Sequence, residues 1–383
     1  MKKGLIIAVF IFIGLSVQSQ DIAFARKMVD TLTSPHFWGR GYTKNGMKKA
    51  GGFIADQYKA FGLQSVDGNS FKQQFTYSAN TFPGRMELSV NGKNLSAGKD
   101  FIVLPDSRKV HARGRLEQVD STHFINKNYR FIVSLEDKLT WSVAANEADF
   151  AQVQVDKKSL NEIPVSFQVD IENKVIEDFE AANICALIKG TKYPDSIIVL
   201  TAHYDHLGGM GKEVYFPGAN DNASGTSLML SLAKYYAANP QPYTIAFISF
   251  AGEEAGLVGS KYFTEHPLFP LSNISFLLNL DLQGTGEEGI TVVNATEFPN
   301  EFKLLNQVND EGKYLTKINA RGKAANSDHY WFTEKGVPAF FWYTLGGIKA
   351  YHDVFDKAET LPMNEYEDLF KLIIGFNKSL MNR

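Results

Sequence analysis

Two histidines and three carboxylates stand where they could hold divalent cations: His203, Asp221, Glu254, Asp281 and His352. Four of them follow apolar runs. The stretch Ile197–Leu200 leads through Thr201-Ala202 to His203, Thr244–Phe250 runs into Glu253-Glu254, Ile274–Leu280 runs into Asp281, and Pro338–Tyr343 leads through Gly346-Gly347 to Tyr351-His352. Short runs rich in β-branched and aromatic residues read as buried strands, and open α/β sheets place their sites beyond the carboxyl ends of such strands. Asp221 follows a glycine-containing loop and precedes Leu228, Leu230, Leu232 and Ala233, the apolar pattern of a helix, whose N-terminus favours negative charge. One polar residue closing a strand is ordinary. Four of them together with Asp221 make a candidate site.

Imidazole and carboxylate without thiolate suit zinc, with cobalt or manganese as substitutes. A single ion rarely takes five protein ligands and still keeps a place for water. Two ions sharing one carboxylate take three ligands each and leave room for a bridging water, so the arithmetic favours a co-catalytic pair. Asp205 lies two residues beyond His203 on an extended segment and so points the same way; its carboxylate can accept the other ring N–H and fix the tautomer. Glu253 and Glu254 are adjacent and cannot both hold one ion comfortably, so one is expected to be a ligand and the other a proton carrier.

These residues need a scaffold. From residue 183 onward the chain alternates strands (197–202, 243–250, 274–280, 290–293, 338–343) with helices (about 223–238, 255–264, 299–310, 328–335 and 363–380). Such alternation predicts an α/β fold, a largely parallel mixed sheet with helices on both faces. Residues 21–63 read as helical, interrupted by Phe37-Trp38-Gly39-Arg40-Gly41, a loop whose aromatics pack on the main domain. Residues 84–178 carry short strands at Met86–Val90, Phe101–Leu104, Phe131–Val133 and Val165–Val169, with turns between. The expected organisation is a signal peptide (1–19), an N-terminal helical part of the catalytic domain (20–83), a β-rich insertion (84–178) and the main part of that domain (179–383).

Of the 383 residues 44% are hydrophobic and 21% charged, with a formal charge of −3. With a sequence pI near 6.3 and no basic run, nucleic-acid binding has no support. Lys2 and Lys3 precede an apolar stretch, Gly4–Leu15, and Val17-Gln18-Ser19 offers small residues for a cut before Gln20. The apolar run is short of the roughly 20 residues that a membrane span needs, so export to the periplasm or medium is expected, with no transmembrane anchor after cleavage. The lone cysteine, Cys185, sits in the apolar run Asn183–Ile188 and reads as a buried thiol. His111 and His123 lack ligand-like neighbours and read as surface histidines.

Five motifs occur in order: His203-Tyr204-Asp205, Gly218-Ala219-Asn220-Asp221-Asn222-Ala223-Ser224-Gly225, Glu253-Glu254-Ala255-Gly256-Leu257-Val258-Gly259-Ser260, Asn279-Leu280-Asp281 and Tyr351-His352. They resemble those of the di-zinc exopeptidases that include bacterial leucyl aminopeptidases and glutamate carboxypeptidases, closely over about residues 183–362 and loosely over the N-terminal helices. The resemblance implies a zinc aminopeptidase-like fold and two Zn2+ per chain. Asp221 would bridge the ions, Glu254 and His352 would complete one site, and His203 and Asp281 the other. Asp205 would orient His203, Glu253 would be the general base, and Tyr351 would hydrogen-bond the tetrahedral intermediate. Asn220 replaces the first aspartate of a frequent family pair. Ser327-Asp328-His329 resembles a family loop near the substrate, without making His329 a ligand. Asp356, four residues after His352, is either that histidine's partner or an exposed carboxylate.

The activity so implied is that of a metallo-exopeptidase, an aminopeptidase cutting the N-terminal bond of peptides with a free N-terminus. The aromatics Phe340, Phe341 and Trp342 hint at an apolar first residue. A glutaminyl cyclase-like zinc transferase and a non-catalytic binding protein are the alternatives on the same fold. The chain keeps all five ligands, which favours the peptidase. The insertion stands where relatives often carry a protease-associated domain, but no diagnostic motif marks it.

Overall fold

A computed structural model describes residues 22–382. The segment expected to be a signal peptide, 1–19, lies outside the described residues. Nine strands form the principal sheet: β1 (Gln64–Ser65), β2 (Lys72–Thr81), β3 (Lys174–Ile188), β4 (Tyr193–His203), β5 (Tyr243–Phe250), β6 (Ile274–Leu280), β7 (Ile290–Val293), β8 (Ile318–Ala320) and β9 (Ala339–Thr344). They are ordered β1-β3-β5-β4-β6-β9-β7-β8, with β2 also pairing with β3. The four central strands β5, β4, β6 and β9 are mutually parallel. The flanks introduce antiparallel pairs between β3 and β5 and between β7 and β9. The sheet is thus mixed around a parallel centre.

Apolar residues along the central strands alternate between two cores, as the two-residue period of a strand requires. Ile198, Leu200, Ala202, Phe247, Leu278 and Phe340 join the core under helices α1 (Ile22–Leu32), α2 (Gly46–Ala60), α3 (Gly225–Ala238), α5 (Pro299–Gly312) and α7 (Tyr366–Met381). On the other face Ile197, Val199, Ile248 and Leu277 pack with Phe263 of α4 (Val258–Glu265) and Phe332 of α6 (His329–Glu334). Strands covered on both faces read as continuous apolar runs, which is why they were legible. Cys185 is buried in the second of these cores.

Two helices begin later than their apolar patterns predict. The chain is non-helical at Asp221 and Asn222, and α3 starts only at Gly225. The turn after β5 places Leu257 at φ +60°, so α4 starts at Val258. In both cases the irregular residues are those that carry the site. The helical reading of 21–63 is correct for α1 and α2, and the loop between them buries Phe37, Trp38 and Arg40.

Residues 86–171 build two further sheets. One orders Phe101–Val103, Ala151–Asp156, Phe131–Glu136, His123–Asn126 and Glu117–Gln118; the other orders Lys93–Leu95, Met86–Val90, Ser166–Ile171 and Val110–Arg115. Their common core holds Phe101, Phe124, Phe131, Trp141 and Val153, and it also takes in Leu207, Met210, Phe216 and Val354 from loops beside the central strands. His111 and His123 lie outside that core, with side chains 83% and 46% exposed. Among the described residues no helix is long and apolar enough to cross a membrane.

Candidate functional site

The parallel centre of the sheet delivers its carboxyl ends to one edge, where His203 pairs with Phe250 across β4 and β5, and Leu280 with Trp342 across β6 and β9. His203 is the last residue of β4, Glu253-Glu254 follow β5, Asp281 follows β6, and His352 follows the loop after β9. Asp221 enters on the segment between β4 and α3. That segment turns at Gly218, where φ is +60° and a Cβ would collide with the Asp221 carbonyl oxygen and the His206 ring.

All five sequence-predicted ligands meet. Asp221 Oδ1 lies 3.3 Å from His203 Nε2, and its Oδ2 lies 3.1 Å from His352 Nε2. Asp281 Oδ1 is 3.3 Å from His203 Nε2, and Glu254 Oε2 is 3.2 Å from His352 Nε2. Candidate ligand atoms of His203, Asp221 and Glu254 lie within 4.8 Å of one another, as do those of His203, Glu253 and Asp281. Each imidazole therefore turns Nε2 toward carboxylates.

Each imidazole also turns Nδ1 to a backbone oxygen: His203 to Asp205 O at 3.2 Å and His352 to Trp141 O at 2.8 Å. An Nδ1–H donated to a carbonyl leaves Nε2 as the lone-pair nitrogen, the tautomer a metal ligand requires. Asp281 Oδ1 is a buried acceptor without a hydrogen bond of good geometry. A mixed imidazole and carboxylate set with such an atom fits a zinc-class cation.

The electrostatics agree. Burial alone would discourage protonation of His203, but Asp281, Glu253 and Asp221 outweigh it and hold its pKa well above the ordinary value. For His352 the same contest, with Glu254 and Asp221 opposing burial, ends near 11. A cluster that raises imidazole basicity this far attracts positive charge. Glu253 is pushed well above the usual carboxylate range by burial and by Glu254, Asp281 and Asp328, against the pull of His203.

Asp205 is fully buried, and its carboxylate accepts the backbone N–H groups of Glu253 and Glu254 at 3.2 and 3.3 Å. Its nearer oxygen is 3.8 Å from His203 Nδ1, so the residue's carbonyl, not its carboxylate, is the hydrogen-bond partner of the ring. Asp356 is neither exposed nor paired with His352. It is buried and accepts the N–H groups of Asn220 and Asp221 at 2.8 and 3.0 Å. Asp281 is steadied through Oδ2 by Ser327 Oγ at 3.0 Å, which in turn accepts from Asn279 Nδ2 at 2.7 Å. His329 is buried with its ring 5.4 Å from Phe341. Tyr351 is 43% exposed and stacks on the His352 ring at 4.0 Å; burial of its hydroxyl, helped by Asp221 and Glu254, raises its pKa and keeps it an O–H donor.

Two residues of the site went unread in the sequence. His206 is fully buried and places Nδ1 2.6 Å from Glu254 Oε1. Arg40 is also fully buried; it donates to the backbone oxygens of Leu32, Tyr204, Pro217, Gly218 and Asp221 at 2.7–3.2 Å, so it staples α1, the end of β4 and the Asp221 loop together. The only available signal for His206 was its place in His203-Tyr204-Asp205-His206.

Residues 183–376 match the Peptidase family M28 pattern. The chain belongs to that family. It is 29% identical over 213 residues to aminopeptidase YwaD of Bacillus subtilis, covering 53% of this chain and 45% of that protein. It is 30% identical over 217 residues to a probable leucine aminopeptidase of Arthroderma otae, covering 53% and 58%. A probable zinc metalloprotease of Pyricularia oryzae is 36% identical over 123 residues, 31% of this chain and 24% of that one. The chain thus spans about half, or less, of the length of these relatives. Among solved folds, the M28 peptidase precursor from Shewanella amazonensis has TM-score 0.74 at 14% identity, covering 96% and 95% of the two chains. BSAP, a zinc aminopeptidase from Bacillus subtilis, has TM-score 0.69 at 19% identity, covering 94% and 95%.

Proposed function

We propose that this M28 chain is an exported zinc metallo-exopeptidase that hydrolyses the N-terminal bond of peptides with a free amino terminus. The observation that carries the reading is Asp221, which presents one oxygen to the Nε2 of His203 and the other to the Nε2 of His352. A carboxylate between two imidazoles is what a bridging ligand requires. His203 and Asp281 would hold one zinc ion, Glu254 and His352 the other, with Asp221 shared. Zinc is favoured by the donor set and by the names of the relatives. The pair of ions, when bound, supplies Lewis-acid activation of water and of the scissile carbonyl.

The chain's own groups do the rest. The Glu253 carboxylate takes a proton from the attacking water and returns it to the leaving amine, and its raised pKa suits that work. The Tyr351 hydroxyl donates to the carbonyl oxygen as negative charge grows there. The free α-amino group of the substrate meets the acidic side formed by Asp281 and Glu253. Asp205 serves by holding the Glu253-Glu254 backbone and His203 together. In this reading residues 1–19 direct export to the periplasm or medium. Residues 20–83 and 179–383 form the peptidase domain, and 84–178 are inserted into it.

Elemental analysis and dipeptide hydrolysis test the proposal together. Two zinc-class ions per chain, release of the first residue from free dipeptides and little action on N-acetylated ones are expected. One ion per chain, with cyclisation of N-terminal glutamine, would transfer the assignment to the cyclase. Equal cutting of N-acetylated peptides would leave a hydrolase that is no aminopeptidase.

A further inference from the structure

The two imidazoles that face Asp221 obtain their Nδ1 acceptors from very different places. His203 uses the carbonyl of Asp205, two residues along its own chain. His352 uses the carbonyl of Trp141, which is 211 residues away and belongs to the β-rich region between residues 84 and 178. The contact is reciprocal, since the Trp141 N–H donates to the His352 carbonyl at 2.9 Å.

Trp141 is itself fixed. Its Nε1–H donates to Val103 O at 2.7 Å, its ring stacks on Phe216 with centroids 4.6 Å apart, and it is 4% exposed. The loop around His352 has two more ties to the same region. Lys138 Nζ donates to Lys349 O at 3.0 Å and lies 3.7 Å from the Asp353 carboxylate, which accepts the N–H groups of Tyr351 and Phe355. Val354 is buried in the core of the β-rich region.

We propose that the β-rich region is part of the metal site: Trp141 is a positioning residue whose backbone carbonyl sets the tautomer and orientation of His352. The inference rests on the reading of His352 as a ligand. A carbonyl that accepts the hydrogen bond of Nδ1–H keeps that proton on Nδ1 and commits Nε2 to the cation, and loss of such an outer partner commonly weakens metal binding about 10–100-fold. The effect is local, because His203 and Asp281 draw on none of these contacts. Affinity for one ion should therefore depend on residues 138–141 while affinity for the other does not.

The test titrates zinc against a competing chelator in the full chain and its variants, with thermal unfolding of the metal-free proteins as a control. His352→Ala should lose one ion. Trp141→Ala keeps the carbonyl but removes the Nε1–H bond to Val103 O and the ring packing on Phe216 that hold it in place. Both ions should therefore remain, with one held severalfold to about 10-fold more weakly and the second unchanged, and Trp141→Phe, which preserves the ring packing, should recover most of the loss. Unaltered affinities in folded Trp141→Ala, alongside a lost ion in His352→Ala, would overturn this proposal and leave the ligand assignment standing. Both ions retained at full affinity in His352→Ala would overturn the two together. Should Trp141→Ala fail to fold, Lys138→Ala, at a half-exposed position, carries the test: the same ion should weaken severalfold, and no change would overturn the role of the region.

Discussion

His206 Nδ1 lies 2.6 Å from Glu254 Oε1, while the other oxygen of that carboxylate faces His352 Nε2 at 3.2 Å. A carboxylate accepts, so the His206 nitrogen carries the proton, and the short distance is that of a charge-assisted bond. Glu254 is thereby held with one oxygen satisfied and one directed into the cluster. His206→Ala removes the donor and frees the carboxylate to turn. Zinc affinity at the position shared by Glu254 and His352 should drop about 10–100-fold, and His206→Asn, whose amide nitrogen can occupy the Nδ1 position, should restore part of it. Chelator competition reads this directly. Wild-type affinity in His206→Ala would reduce the contact to a packing detail.

Much of this cluster was legible because the candidate ligands are side chains placed at the ends of apolar runs. His203, Asp281 and the Glu253-Glu254 pair inherit their positions from β4, β6 and β5, and the period of those strands is written in their sequence. Apart from His206, which meets Glu254 side chain to side chain, what escaped has a common cause: support comes from long-range backbone contacts. Trp141 contributes a carbonyl, which no residue type announces. Arg40 serves oxygens from several separate segments, including Leu32, Tyr204 and Asp221, and nothing in Trp38-Gly39-Arg40-Gly41 points to them. Asp356 stands four residues from His352, a spacing that left it either that histidine's partner or an exposed carboxylate, yet the loop turns through His352 at φ +54° and delivers Asp356 to the Asp221 backbone instead. In the β-rich region, Val110–Arg115 and Ala151–Asp156 were not read as strands. Val110–Arg115 offers only Val110 and Ala112 as apolar positions, with Gly114 breaking the pattern, whereas Ala151–Asp156 does carry the two-residue alternation of a half-buried strand and was legible by that rule.

Arg40 makes a stability prediction. Burial lowers its pKa to about 10, with Asp221, Asp356 and Asp205 opposing the shift, so it stays charged at neutral pH. Replacing it by Met would remove a donor from five backbone oxygens; Gly218 O keeps the Ala223 N–H at 3.2 Å, and each buried acceptor left stranded costs about 1–3 kcal/mol before relaxation. A net loss on the order of 3 kcal/mol or more is expected in chemical denaturation, with weakened metal binding, because the Asp221 carbonyl is one of the five. Arg40→Lys keeps the charge but offers fewer donors and should fall between. A Met variant as stable as the wild type would contradict this accounting.

Cys185 should be silent. It is 1% exposed, and burial, with a smaller push from Asp67, raises the thiol pKa, so the reactive thiolate is absent at working pH. A thiol reagent added to the native protein should leave both activity and free-thiol signal unchanged from pH 7 to about pH 9. After denaturation one thiol per chain should react. Rapid labelling of the native protein would show that β3 opens far more readily than its packing implies.

The last expectation separates Glu253 from Glu254. Both backbone N–H groups are tied to Asp205, so the side chains diverge from one anchored dipeptide. Glu254 turns to His206 and His352, and Glu253 joins His203 and Asp281. The two also differ in charge state: burial and acidic neighbours raise Glu253, whereas His352 and His206 outweigh burial and bring Glu254 down to about 2. A group held anionic suits a ligand, and one with a raised pKa suits proton transfer. Glu253→Gln keeps shape and hydrogen-bonding capacity but removes the proton acceptor. Both ions should remain while kcat falls on the order of 10²–10⁴-fold. Glu254→Gln replaces an anionic ligand by a neutral one, so metal content and activity should fall together, and excess zinc should restore part of both. Metal content and kinetics measured side by side decide the matter: loss of metal from Glu253→Gln with both ions kept by Glu254→Gln would exchange the two roles.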